Sequence, residues 1–441
     1  VDRCVCFFLK ALVSCVLLLF LLVGRLRGVE GFSVSDSVVS RRIVQFLSFG
    51  LFCFICGFFL FPSVSAHKTA YYLVVVLPFL LLIPWLRWRT PTPSQILVLT
   101  FITYMVLAVL WSDEFDLDSL LYFSKCGALI LILIWAIDIC WSDRYFDQLL
   151  LGFLLSGAVV GLYSLFSFGV ETGWRFDRVM KPVWHFANQN RMAKVFGVLA
   201  LVALFLMRQK RFSTHKMVFL LSTVSLLSAL LIIVLNRSTG AMLAVVAAIP
   251  CFWFMLLPYN VTRKALVVGS LCIFGVMIAG GIVYMLDLHA AFIQQGWSYR
   301  DEIWLAVLKD IVANPWFGLG ATDDLPVFGN DGRVYSHEHN VFLAVLRLSG
   351  AIGLVLMLAV VFRLFWVLSE VRYGSSSLWL LILVFGLIAL SSSGEYPIGR
   401  PKESWLFFWV PIAFLVAMSG KLELARRAKH DGSTSGVNTT E

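Results

Sequence analysis

Charge is the scarcest ingredient of this chain. Lys and Arg together number 35 and Asp and Glu 26 among 441 residues, 14% of the total, while 60% are hydrophobic. So little polar surface cannot clothe a water-soluble domain of this size, which excludes an ordinary globular fold. Reactive signatures are missing as well: there is no Walker A loop, no GxGxxG after a strand, no GxSxG elbow and no Asp-x-Asp suited to a metal-bound nucleotide sugar. Nucleotide chemistry is thereby set aside, and the energy for any reaction has to arrive in the substrate. The nine cysteines fall in apolar stretches, and the Cys53/Cys56 pair has neither a second pair nor a histidine beside it. They read as small core hydrophobes rather than disulfides or zinc ligands. The net charge of +9 comes from cations scattered through loops, which argues against nucleic acid as a partner.

What the chain has instead is a succession of apolar runs, each about 17 to 25 residues long, the length that crosses a bilayer as a helix. Backbone groups in lipid must be satisfied within the segment, so the runs are helices. They fall at roughly 4–23, 43–62, 69–87, 95–112, 119–140, 148–169, 191–207, 217–235, 239–257, 265–286, 340–368, 377–393 and 405–419. The pattern predicts an all-α, polytopic transmembrane bundle, one membrane domain over 1–420 with twelve spans. The first run, with Arg3 and Lys10 near its start, reads either as a thirteenth span or as a signal-like segment. Residues 421–441 read as a cytoplasmic, disordered tail. Basic residues in the loops at 24–42, 87–94, 208–216 and 258–264 and in the tail fall on one side when spans alternate, which makes that side the cytoplasm. The opposite side then carries Asp113, Glu114, Asp116 and Asp118 and two long loops, at about 170–190 and 287–339.

Within the longer loop, Ile303, Trp304, Val307, Leu308, Ile311 and Val312 recur at spacings of three and four, an amphipathic helix ended by Asn314-Pro315. It is expected to lie on the membrane surface and roof the bundle. Four outward arginines need explaining, because a guanidinium at the edge of a span is costly unless something uses it. Arg191 opens a span after "HFANQN", Arg237 lies in "NRSTG", Arg300 opens the surface helix, and Arg347 sits about two turns into the run from 340. As single residues they read equally as snorkelling anchors. Together they suggest an anionic ligand, since the planar fork of Arg grips phosphate and helix N-termini add favourable dipoles.

Two of the seven histidines stand in "SHEHN", Ser336 to Asn340, just before that run. Metal ligation would need further ligands, and no HExxH pattern or Cys cluster completes a set. The other readings of His337 and His339 are a polar collar at the membrane surface and, for His339, a general base, with neighbouring arginines keeping the imidazole neutral.

These residues resemble a known family. "SHEHNVFLAVLRLSGAIG" contains His339-Asn340, nine residues, Gly350, two residues and Gly353, a pattern similar to that of bacterial O-antigen ligases in the O-antigen ligase and polymerase superfamily. "SYRDEIWLAVLKDIVANPWFGLG" resembles that superfamily's periplasmic segment, "NRSTGAML" its Arg-Ser/Thr-Gly span start, and "HFANQNRMAKV" its Asn-rich entry to a middle span, with Val195 where Leu is more usual. The four stretches stand in the family's order and cover about 185–355; the first 150 residues match only in being apolar.

The resemblance implies a membrane-embedded glycosyltransferase of the GT-C type in the bacterial inner membrane, its active site facing the periplasm and its C-terminus in the cytoplasm. Such enzymes transfer a polysaccharide from undecaprenyl pyrophosphate to a sugar of lipid A-core, with inversion and without metal or other cofactor. It implies His339 as the base, Arg191 and Arg300 with Arg237 on the diphosphate, and His337, Glu338 and Asn340, with Gly350 and Gly353 behind them, lining or supporting the site. An O-antigen polymerase or a protein O-oligosaccharyltransferase would use the same donor. Loss of a ligase leaves lipopolysaccharide bare of O-antigen, whereas loss of the polymerase leaves one repeat. A transporter or flippase, the reading from another class, needs ionisable residues at the bilayer midplane, and only Lys125, Asp138 and Arg347 are candidates.

Overall fold

Apolar runs of spanning length dictate helices, and helices are what form. The computed structural model describes residues 37–434 apart from 87–89, 114, 177–178, 184–185, 187, 257–299, 323–325, 329–332, 336, 369–374 and 395. In chain order the long helices are α1 (Val38–Leu60), α2 (Val64–Trp85), α3 (Pro93–Trp111), α4 (Leu117–Cys140), α5 (Asp143–Thr172), α6 (Gln189–Arg208) and α7 (Lys216–Leu235). They continue with α8 (Thr239–Leu256), α9 (Arg300–Ala313), α10 (Val341–Leu368), α11 (Ser375–Leu390) and α12 (Trp409–Thr434). Between α9 and α10 lies one two-stranded antiparallel ladder, β1 (Val327–Phe328) and β2 (Val334–Tyr335), which the all-helical expectation did not contain.

Among the described residues nine helices are long and apolar enough to cross a membrane, and two shorter apolar ones, Thr239–Cys251 and Ser376–Leu390, fall on expected spans. This is an integral membrane protein. The expected spans at 4–23 and 265–286 lie outside the described residues, and α12 runs on to Thr434 through residues expected to belong to the tail. Helices begin where capping residues stand: Ser37, Ser142 and Asn188 each accept a backbone N–H three residues on, and Thr92 with Gln95 forms a reciprocal capping box.

The chain divides into two compact units. The first comprises 1–89, 135–175 and 180–232. Its interior is aromatic and close-packed, with Phe54, Phe58, Phe59, Tyr71, Tyr145 and Phe196 fully buried. At Gly50 a Cβ would stand 1.7 Å from the Val74 carbonyl oxygen, so the backbones of α1 and α2 touch there, as small residues permit between membrane helices. His67 is spent in this core: its Nε2 lies 2.8 Å from the Phe54 carbonyl oxygen, and its ring stacks on Phe54 and Phe61.

The second unit comprises 90–134, 176–179 and 233–441. Here α10 packs on α3 and α12, α8 packs on α11, and α9 lies across α10. Buried Glu423 on α12 accepts from Ser94 on α3 (3.1 Å) and from Arg363 on α10 (2.6 Å), tying three helices at one point.

Candidate functional site

The site residues of the second unit are assembled by three pieces of chain: α9, the segment that follows it, and the entry to α10. The inner face of α9 is built from Ile303, Ala306 and Val307, buried against Val327 of β1, with Trp304, Ile311, Tyr335 and Leu343 packed around them. At about 100° per residue this face cannot also include Leu308 and Val312. Those two, expected in the inner stripe, join Leu305 on the outer side, and Val312 is 78% exposed.

After Asn314 the chain forms a strap along α10, and α10 is broken to receive it. Gly350 has φ 66°, ψ −170°, a conformation essentially restricted to glycine. In an unbroken helix the N–H groups of Ala351 and Ile352 would bond to the carbonyls of Arg347 and Leu348. Instead Ala351 N–H donates to Pro315 O (2.8 Å) and Ile352 N–H to Trp316 O (3.4 Å). The freed carbonyls accept from the strap, Arg347 O from Leu319 N–H (2.8 Å) and Leu348 O from Gly320 N–H (3.0 Å). The four backbone groups that the break frees are thereby satisfied, as burial demands. A Cβ at Gly350 would stand 2.1 Å from Trp316 O, and one at Gly318 (φ 71°) would stand 2.6 Å from Arg347 O. Gly318 of "GLG" and Gly350 of the His-Asn-(nine)-Gly pattern are explained by this crossing, while a Cβ at Gly320 (φ 86°) would meet Ser112. Gly353, one turn further, is buried on the helix beside Ser349 and Tyr104.

The break sets off a short lead-in helix, residues 341–349, which carries Arg347 and which His339 and Asn340 precede. Asn340 caps it: its Oδ1 accepts from Phe342 N–H (2.9 Å) and Leu343 N–H (3.3 Å). His339 immediately before it adopts a left-handed backbone, φ 54°. Its N–H donates to His337 Nδ1 (3.2 Å), which requires that nitrogen to be unprotonated, so a neutral His337 carries its proton on Nε2. The two imidazoles lie 3.8 Å apart between centroids.

Glu338 between them is buried and held twice. Its carbonyl accepts from Trp304 Nε1 (3.2 Å), and its carboxylate accepts from Arg347 Nη1 (3.0 Å). Arg347, 3% exposed, also donates from Nε to Asp310 Oδ2 (2.8 Å) and from Nη2 to Pro326 O (2.8 Å). This revises the sequence reading, in which Arg347 was one of four cations awaiting an anion or a charge placed for transport. Asp310 is the residue that sequence reasoning missed. Its signal was a carboxylate on α9 seven residues from Ile303 and beside Ile311, close to the buried face, where an acid needs a partner.

Arg300 opens α9, one turn before Trp304, half-buried, and no carboxylate pairs with it among the described residues. Loss of hydration lowers its pKa from the usual guanidinium value, yet a guanidinium remains charged in any physiological range. Arg237 lies in the turn between α7 and α8 with φ 51°, its N–H bonded to Val234 O (2.9 Å). Asn236 beside it is buried, and its side-chain amide has no hydrogen-bond partner among the described residues. Arg191 belongs to the first unit, in the first turn of α6 capped by Asn188. The structure thus joins His337, Glu338, His339, Asn340 and Gly350 to the helix that Arg300 opens. No group of three or more metal-ligating side chains occurs among the described residues.

The sequence pattern of the family described as O-antigen ligase matches residues 223–358, the stretch that holds Arg237, α9 and the entry of α10. A protein of Pseudomonas aeruginosa described as O-antigen ligase is 27% identical over 383 residues, covering 84% of this chain and 90% of its own length. Residues 223–358 of this membrane protein thus resemble the O-antigen ligase family.

Proposed function

We propose that the protein transfers O-antigen polysaccharide from undecaprenyl pyrophosphate to a sugar hydroxyl of lipid A-core, on the periplasmic face of the bacterial inner membrane, with inversion and without a metal. The observation that carries the reading is the hydrogen bond from Trp304 to the Glu338 carbonyl. It brings the first turns of α9, and with them a guanidinium that no described carboxylate neutralises, to the loop that presents His339.

In this mechanism His339 takes the proton of the acceptor hydroxyl as the oxygen attacks the anomeric carbon. The carbon–oxygen bond to the diphosphate breaks, and undecaprenyl pyrophosphate leaves with the electron pair. Arg300, desolvated and rigidly based on α9, stabilises the charge that builds on the departing phosphate, an interaction that strengthens as the bond breaks. Arg191 and Arg237 are proposed as further donor ligands on the pattern of their motifs, to be tested one at a time as Arg191→Ala and Arg237→Ala.

The test is transfer from purified lipid-linked polysaccharide to lipid A-core by the reconstituted protein. His339→Ala is expected to lower kcat by roughly 10²- to 10⁴-fold and Arg300→Ala by roughly 10²- to 10³-fold, with normal membrane insertion. Inserted variants that still transfer at the wild-type rate would overturn the assignment. A wild-type rate that stays flat between about pH 5 and 8, where an imidazole loses its proton, would count against the base.

A further inference from the structure

We propose that Arg347 is a positioning residue for the His339 loop, a buried clamp whose one guanidinium holds the loop, the surface helix and the hairpin entry in a single arrangement before any substrate arrives. The inference rests on the reading of His339 as the base.

Three donors on one rigid fork reach three separate pieces of chain: Glu338 of the loop, Asp310 of α9 and the carbonyl of Pro326 ahead of β1. The main chain of the same residue is engaged too, since its carbonyl accepts from Leu319 of the strap. The guanidinium already faces two carboxylates and a carbonyl of the protein, which are its partners in place of a phosphate. The side chain is buried behind its partners, and no donor nitrogen of the three lacks a protein acceptor.

The consequence falls on His339. A non-glycine residue with left-handed backbone persists only where its surroundings over-determine it. Those surroundings are Glu338, pinned at its carbonyl by Trp304 and at its carboxylate by Arg347, and Asn340, pinned as the cap of α10. Releasing the carboxylate of Glu338 frees one side of His339 and also loosens the tie to α9, the helix that Arg300 opens. A lysine cannot replace the fork, because a single ammonium does not span three acceptors in fixed directions.

The experiment compares Arg347→Lys, Arg347→Gln, Glu338→Gln and the double variant Glu338→Gln/Arg347→Gln with wild type, measuring thermal stability in detergent and both kcat and the donor KM in the reconstituted transfer assay. Arg347→Lys and Glu338→Gln are expected to insert and remain folded, with kcat lowered roughly 10- to 100-fold, the scale of a small misplacement of reacting groups. The donor KM is expected to stay within about twofold, and the double variant to lose no more kcat than Arg347→Gln alone, because both changes cut one link. Unchanged kcat per folded molecule in the Arg347 variants would overturn the proposal. So would a raised donor KM at constant kcat, which would make Arg347 a ligand of the donor, and so would independent, multiplying losses in the double variant. His339→Ala in the same assay separates the two claims. If it is inactive while the Arg347 variants keep full kcat, the clamp alone fails. If it is active, the base reading fails and the clamp has nothing to position.

Discussion

The two parts of α10, before and after Gly350, have the same composition to the eye and live in different solvents. Residues 351–368 form a helix with Met357, Val360, Leu364 and Val367 buried on one side and Val355, Leu358, Phe362 and Trp366 exposed at spacings of three and four on the other. That is the stripe of a helix facing lipid. Residues 341–349 show no such stripe. Val341, Ala344, Val345, Arg347, Leu348 and Ser349 are buried against protein, and two of them present polar groups inward. Hydropathy is high, 2.5 across the element's best window, and such averages do not mark the boundary because glycine is nearly neutral on the scale. The difference teaches that the candidate site adjoins a protein-buried lead-in helix whose charge is matched by protein groups.

The comparison is most severely tested at the boundary itself. Gly350→Ala is expected to cost at least about 3 kcal/mol, because it adds the strain of a glycine-only conformation to a clash with the strap. Folded yield and melting temperature in detergent would report it, and a wild-type melting temperature would show that α10 can run straight. A smaller effect is expected at the start of the lead-in helix. Asn340→Ala removes the acceptor of two backbone N–H groups and should lower stability by about 1 kcal/mol, with Asn340→Asp restoring most of it. In the lipid-facing part the effect should nearly vanish: Phe362→Ala is expected within about 0.5 kcal/mol of wild type, and a large loss there would show that protein, not lipid, covers that face.

Much of the crossing around the candidate site was marked in the sequence. The nine-residue spacing from His339-Asn340 to Gly350 and the "GLG" after the surface helix marked the right places, though as patterns without a cause. Their cause is the crossing of strap and broken helix, which depends on hydrogen bonds between residues some thirty positions apart and is therefore silent in any local reading. The inner stripe of α9 was read correctly at Ile303, Trp304, Val307 and Ile311 and misread at Leu308 and Val312, because a surface helix between protein and an apolar medium has hydrophobic residues on both sides, and periodicity does not say which side meets which. Arg347 was misread for a related reason. Its charge is visible in the sequence, but its partners are 9 and 37 residues away, and only their meeting decides whether a guanidinium waits for a ligand or is already used.

What the sequence by itself determined is the class of molecule and the polar cluster at the entry of α10: membrane helices, because apolar runs of spanning length leave the backbone no other solution, and the cluster, because capping and turn residues act over three or four positions. What only the tertiary structure decided is which charges neutralise each other and where a continuous apolar run is broken. Both depend on contacts between distant segments, where burial makes an unpaired charge so costly that partner choice, not residue type, fixes its role.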